Sequence, residues 1–295
     1  MTPPSEVFSG LVTNLESSSY VIVGFPYDGT STYRRGARFG PREIRRASLN
    51  IETYSFRTGI YLESLNLCDL GDVKTKGNLR QSIDATSQIA TSIFSKNKIL
   101  ISIGGEHTLT YGVSKGLPKN TALISFDAHF DLRNEYSKKT LSHATFMRRI
   151  AEQIGPEKLF FIGTRAICKE EMEFVKNNDI KFISSRQLFD QDWRNQVQKL
   201  NCFLNDYEKY YITLDMDVLD PSQAPAVGNP EPEGIQVSRL LDILQTICGE
   251  RLLGIDLTEV APNQDKDITA IEAARIIFEV ICFIEAEKRS DSKTA

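Results

Sequence analysis

Paired cysteines, excess basic charge and long apolar runs are all missing from this chain. Cys68, Cys168, Cys202, Cys248 and Cys282 are odd in number and widely scattered. No CxxC pair occurs, which excludes a zinc ribbon or a thioredoxin-like motif, and inert thiols in a reducing cytosol are expected. Lysine and arginine total 35 against 39 acidic residues, a net of −4. Phosphate neutralisation needs a basic face, so no nucleic-acid partner is expected. The longest apolar stretch, 268–284, is interrupted by Glu272, Arg275 and Glu279. It predicts an amphipathic helix packed on a sheet, and no membrane span. The N-terminal MTPPSEVFSGLVTNLESSSY has no basic n-region and no apolar h-region, so a signal peptide is not expected and the predicted location is cytoplasmic. No repeat, linker or low-complexity tract divides residues 1–295, which predicts one domain.

What is present is an alternation. Short apolar runs stand at YVIVGF (20–25), LNLCDL (65–70), KILISI (98–103), TALISF (121–126), KLFFIG (158–163), IKFIS (180–184), YYITL (210–214) and RLLGIDL (251–257). Several are apolar throughout, as strands buried on both faces of a parallel sheet must be. Helical patterns lie between them, such as 79–96 with Leu79, Ile83, Ala90 and Phe94 on one side, and 267–288 with Asp267 as its N-cap. The βαβα order predicts an open, mostly parallel α/β sheet with helices on both faces. Ligands bind such sheets beyond the carboxyl ends of the strands. Four of those ends carry chemistry: GGEHT after ILISI, DAHFD after ALISF, DMDVLDP after YYITL, and TEVAP after LLGIDL.

Six residues in these segments are candidate metal ligands: His107, Asp127, His129, Asp131, Asp215 and Asp217. Residues i and i+2 of an extended stretch face one side, which directs Asp127 with His129, and Asp215 with Asp217, into one cleft. Imidazole mixed with carboxylate suits Mn²⁺, Fe²⁺, Ni²⁺, Co²⁺ or Zn²⁺, whereas a structural zinc knot would use thiolate. Four carboxylates against two divalent ions give a neutral filled site, and with an ion missing the carboxylates would repel one another. Water bridging two such ions would deprotonate near neutral pH. The chain has only three histidines, 107, 129 and 143, and all lie in or beside these motifs.

With these segments in view, the sequence resembles the ureohydrolase family of arginases and agmatinases over nearly its whole length. The matching segments are GFPYDGTSTYRRGARFGPREIRRAS (24–48), SIGGEHTLT (102–110), SFDAHFDLR (125–133), SHATFMRR (142–149), LDMDVLDP (214–221) and GIDLTEVAPNQD (254–265). The resemblance implies a three-layer α/β/α fold on an eight-stranded, mostly parallel sheet, and two Mn²⁺ ions. It implies that His107 and Asp131 bind one ion, His129 and Asp217 the other, and that Asp127 and Asp215 bridge both. It further implies a proton-shuttling role for His143, a guanidinium-holding role for Glu259, and a homo-oligomer, trimer or hexamer. The chemistry agrees: a delocalised guanidinium needs a strong nucleophile, charge stabilisation and a proton for its leaving amine. Asp131 would relay the proton freed from the nucleophile.

Three positions depart from the family pattern. Phe130 replaces a small residue and should point away from the ions. Glu233 replaces a glycine and Leu240 an acidic residue, both expected to touch a loop near the cleft. Between the DAHFD motif and His143, LRNEYSKKTLS (132–142) lacks the TSGN run of arginases. The favoured small guanidino substrate is therefore agmatine, cut to putrescine and urea, with Glu135 a conceivable partner for its ammonium. Guanidinobutyrate and arginine are the alternatives within the class, and a non-catalytic binding subunit is the alternative outside it.

Overall fold

A computed structural model describes residues 1–74, 78–190, 192–262 and 267–294, with side chains described through 290. The eight apolar runs become eight strands of one parallel sheet: β1 (Tyr20–Phe25), β4 (Leu67–Asp72), β5 (Ile99–Gly104), β6 (Thr121–Phe126), β7 (Leu159–Thr164), β8 (Lys181–Ser184), β9 (Lys209–Asp215) and β10 (Leu252–Thr258). A short antiparallel pair, β2 (Tyr54–Ser55) and β3 (Ile60–Tyr61), stands apart. The sheet order is β4-β1-β5-β10-β9-β6-β7-β8. The four strands that end in the chemical motifs, β5, β10, β9 and β6, are thus side by side at its centre.

Alternate residues of the strands enter two separate cores. Ile22, Ile101, Ile124, Ile212 and Ile255 pack on one face with α1 (Gly40–Ser48), α6 (Ser185–Phe189), α7 (Trp193–Leu204), α8 (Val237–Ile247) and α9 (Ile268–Thr294). Val21, Leu100, Leu123, Phe161 and Tyr211 pack on the other with α2 (Leu79–Phe94), α3 (Thr110–Ser114), α4 (Phe146–Ile154) and α5 (Lys169–Asn177). Both faces are covered, so the strands are mostly apolar along their length. This is the expected three-layer α/β/α fold. Among the described residues, no helix is long and apolar enough to cross a membrane.

Boundaries shift where tertiary partners intervene. β4 runs two residues later than its apolar run because Thr2 pairs with Asp72 through both backbone bonds, at 2.7 and 2.9 Å. Helix α2 stops short of residue 96, and Asn97 beyond it adopts left-handed backbone, φ 53°. Asp267 precedes α9 in left-handed, not extended, backbone (φ 70°), and its carbonyl accepts from the Ile271 N–H at 3.0 Å. Residues 263–265 of the GIDLTEVAPNQD segment lie outside the described residues.

The departures from the family pattern resolve differently. Phe130 turns into the α2–α5 core and packs on Phe161 and Phe182, 4.9 and 5.5 Å between ring centres. Glu233 has φ 62°, a left-handed conformation that glycine adopts without steric cost. Leu240 corrects the expectation: it sits within α8 with its side chain in the core, not on a loop by the cleft.

Candidate binuclear metal centre

The two aspartate motifs share one local device. Asp127 Oδ1 accepts from the N–H of His129 at 2.7 Å, and Asp215 Oδ1 accepts from the N–H of Asp217 at 2.8 Å. Asp217 Oδ1 accepts from the Ala128 N–H at 3.1 Å and ties the β6 end to the β9 end. Each carboxylate therefore commits one oxygen to the backbone and keeps the other free. Those free oxygens, together with Asp127 Oδ1, converge on two imidazoles. His107 Nδ1 lies 3.1 Å from Asp127 Oδ2 and 3.2 Å from Asp215 Oδ2, with Asp131 Oδ2 at 3.8 Å. His129 Nδ1 lies 3.0 Å from Asp217 Oδ2 and 3.5 Å from Asp127 Oδ1. All six sequence candidates meet in one place.

The geometry divides into two triads, His107–Asp127–Asp215 and Asp127–His129–Asp217, whose ligand atoms lie within 4.8 Å of one another. Two bonds of about 2.0–2.6 Å to a common ion span that separation. Asp127 belongs to both triads, as a bridging carboxylate must. Asp215 groups with His107 alone. His107 Nδ1 is buried yet makes no hydrogen bond, although two carboxylate oxygens are within reach. A lone pair aimed at a shared point explains that better than a donor N–H. The donor set and this orphaned nitrogen fit a pair of divalent ions.

Electrostatics point the same way. Burial opposes charge on His107, but the Asp127 and Asp215 carboxylates beside it outweigh burial and push the imidazole well above its ordinary value. His129 is likewise raised against burial, chiefly by Asp217 and then Asp127. Burial lifts Asp131 and Asp215 well above the carboxylate range, aided by Asp127 for the former and by Asp217 and Asp127 for the latter. Asp127, although buried, is pulled below it by both imidazoles. Without cations the cluster keeps protons to limit its own repulsion. Divalent ions are the alternative occupant.

The triads form the floor of a cavity of about 270 Å³, with Glu259 and His143 on its walls and Arg133, Tyr136 and Glu231 among its other lining residues. Glu259 is buried in left-handed backbone, φ 65°, just past β10. Its Oε1 accepts from the His107 N–H at 2.8 Å, and burial followed by the charge of Glu106 lifts its carboxyl to about 8. A side chain at Gly228 would meet Glu259 Oε2 at 2.9 Å, so glycine there keeps that oxygen clear. His143 is buried, and its N–H donates to Thr30 Oγ1 at 2.9 Å. Its ring stands 3.4 Å from both Thr30 Oγ1 and Thr32 Oγ1. Burial, then the charge of His129, lowers it to about 4.

Two supporting residues have no role in the sequence reading. Glu106 is fully buried and accepts from Thr30 N (2.7 Å), Thr30 Oγ1 (2.7 Å), Ser31 N (3.1 Å) and Thr108 Oγ1 (2.7 Å). Burial raises its carboxyl, but four donors around it describe the ionised form. It pins the loop that holds His143. Arg165 donates to the carbonyls of Asp217 (2.7 Å), Glu231 (2.9 Å) and Pro232 (2.8 Å) and fixes the wall beneath them. Glu106 was visible inside GGEHT, but its burial and partners depend on a loop 76 residues away. Glu135, by contrast, is exposed and does not line the cavity.

Comparison with known proteins gives the same assignment. A model of the arginase family matches residues 18–282. The agmatinase of Bacillus subtilis is 36% identical over 94% of this chain and 97% of its own. The N(1)-aminopropylagmatine ureohydrolase of Thermococcus kodakarensis is 33% identical over 89% and 90%. The crystal structure of agmatine ureohydrolase of Thermoplasma volcanium superposes with a TM-score of 0.91 at 31% identity, covering 98% of this chain and 97% of that one. This chain therefore belongs to the arginase family and is a binuclear metal-dependent hydrolase of guanidino compounds.

Proposed function

We propose that the chain hydrolyses agmatine to putrescine and urea with two Mn²⁺ ions, and that the reading rests above all on the two imidazole–carboxylate triads sharing Asp127. His107, Asp131, Asp127 and Asp215 would hold one ion, and His129, Asp217 and Asp127 the other, with Asp215 reaching toward the second. When bound, such a pair supplies a water nucleophile at neutral pH and offsets developing charge. Glu259 would hold the guanidinium through the oxygen that Gly228 leaves clear. Thr30 Oγ1 spends its proton on Glu106, so toward His143 it can only accept. The imidazole then presents Nε2 as an acceptor, with the Thr32 hydroxyl 3.4 Å away, suited to taking up and returning a proton at the leaving amine. Asp131 would relay the proton given up by the nucleophile.

The preference for agmatine is supported by the charge of the cavity lining. Glu231 takes the place expected of Glu135. Its side chain is 39% exposed and its Oε1 lies 3.8 Å from His129 Nε2, with no lysine or arginine ion pair among the described residues. An ammonium tail is attracted there, whereas the carboxylates of arginine and guanidinobutyrate are repelled. Arg133, the neighbouring cation, already lies 3.9 Å from Glu171. Agmatine and N(1)-aminopropylagmatine both carry such a cationic tail, and relatives named for each are similar to this chain. A urea-release screen with Mn²⁺-reconstituted enzyme should give agmatine the highest kcat/KM, and Glu231→Lys should cut its advantage over guanidinobutyrate by at least about tenfold. Wild-type preference for arginine or guanidinobutyrate would overturn the substrate, and no urea from any of them would overturn the reaction.

A further inference from the structure

Beneath the cavity floor lies a carboxylate with no part in the proposed reaction. Asp256 is in the middle of β10, paired across the sheet with Ser102 of β5 and Thr213 of β9, and is 2% exposed. A buried mid-strand carboxylate is costly unless it serves its neighbours. Asp256 Oδ1 accepts from Thr213 Oγ1 at 2.5 Å, and the same Thr213 oxygen lies 2.7 Å from His107 Nε2.

The direction of this chain follows from proton counting. A hydroxyl has one proton, and an ionised carboxylate can only accept. The Thr213 hydroxyl meets Asp256 Oδ1 at 2.5 Å, the short contact of an O–H donated to an ionised carboxylate. Thr213 therefore gives its proton to Asp256, and its oxygen must accept from His107. Nε2 then carries the N–H, and the neutral imidazole that ligates a cation has no second proton for Nδ1. That Nδ1 is the atom facing Asp127 and Asp215 at 3.1 and 3.2 Å. Thr110 Oγ1, 3.1 Å from Thr213 Oγ1, can add only a donated bond to the same oxygen.

We propose that Asp256 is a positioning residue which, through Thr213, locks His107 in the Nε2–H tautomer and aims its Nδ1 lone pair at a metal ion. The proposal rests on the assignment of His107 as a ligand. Partners of this kind, one step behind a ligating histidine, typically account for 10–100-fold in metal affinity.

The test is equilibrium dialysis against stepped concentrations of free Mn²⁺, followed by metal analysis of the whole chain. Wild type should take up two ions. Asp256→Asn offers Thr213 an amide edge that can reverse the chain, and Thr213→Val removes the link. Each should weaken one of the two ions by about 10–100-fold and spare the other, while Thr213→Ser, which keeps the hydroxyl, should restore wild-type uptake. If Asp256→Asn does not fold, Thr213→Val decides. Wild-type isotherms for Thr213→Val, or for both variants, overturn the relay alone. A wild-type chain that binds fewer than two ions overturns both the relay and the metal assignment beneath it.

Discussion

Glu259 shows what a single residue can and cannot reveal from sequence. Its place just past a strand end was legible, because strand ends in parallel sheets face the ligand. Its left-handed backbone, its bond to the His107 N–H and the clearance at Gly228 were not. Those depend on how β5, β10 and the 228 loop meet in space. The same split runs through the site. The six ligand candidates were readable from the strand-end motifs, four of them by i, i+2 spacing, whereas Asp256 and Arg165 read as ordinary charged residues until burial and partners are known. For Glu259 the consequence is measurable. Glu259→Gln preserves shape and an oxygen for the His107 N–H but removes the charge that faces a planar cation. We expect kcat/KM to fall at least about a hundredfold, about 2.7 kcal/mol of transition-state binding, with metal content unchanged. A variant that loses its ions instead would place Glu259 in the metal shell, and one of normal activity would place the substrate cation elsewhere.

At the scale of elements, the apolar runs predicted all eight strands because a parallel sheet covered on both faces needs continuous apolar sequence. Their order could not be read the same way. That β10 inserts between β5 and β9 is a long-range choice, and it is what brings Glu259 beside His107. The loop after β1 was equally opaque, since GTST is held where it is by Glu106, 76 residues away, and by His143. In Glu106→Gln an amide –NH₂ must face donors on one side of a fully buried site. We expect a loss of about 3 kcal/mol in unfolding free energy, measured by denaturant titration. Because Thr30 carries His143, kcat should drop while both ions stay bound. Wild-type stability in this variant would mean the loop is held by something other than that carboxylate.

For the whole molecule, the titrating centre makes stability depend on pH in opposite senses with and without ions. In the metal-free chain burial raises Asp131 and Asp215 well above the carboxylate range, Asp256 to about 6 and Glu259 to about 8. Their neighbours raise His107 and His129. A group whose pKa is higher folded than unfolded binds more protons in the folded state. Its stabilising contribution is complete below the unfolded pKa and is lost as pH climbs through the folded one. Asp127 and His143 are shifted down and have the opposite sign, but they stand against six groups shifted up. The metal-free protein should therefore lose thermal stability across roughly pH 5 to 9, by about 5 °C or more. Ligands must shed their protons to bind cations. With Mn²⁺ in excess the bound state therefore gains as pH rises, and the slope should flatten or reverse. Thermal midpoints in chelator and in Mn²⁺ over that range decide the matter. A metal-free midpoint that climbs between pH 5 and 8, or one indifferent to Mn²⁺, would show that these buried groups are not held in tension against one another for want of cations.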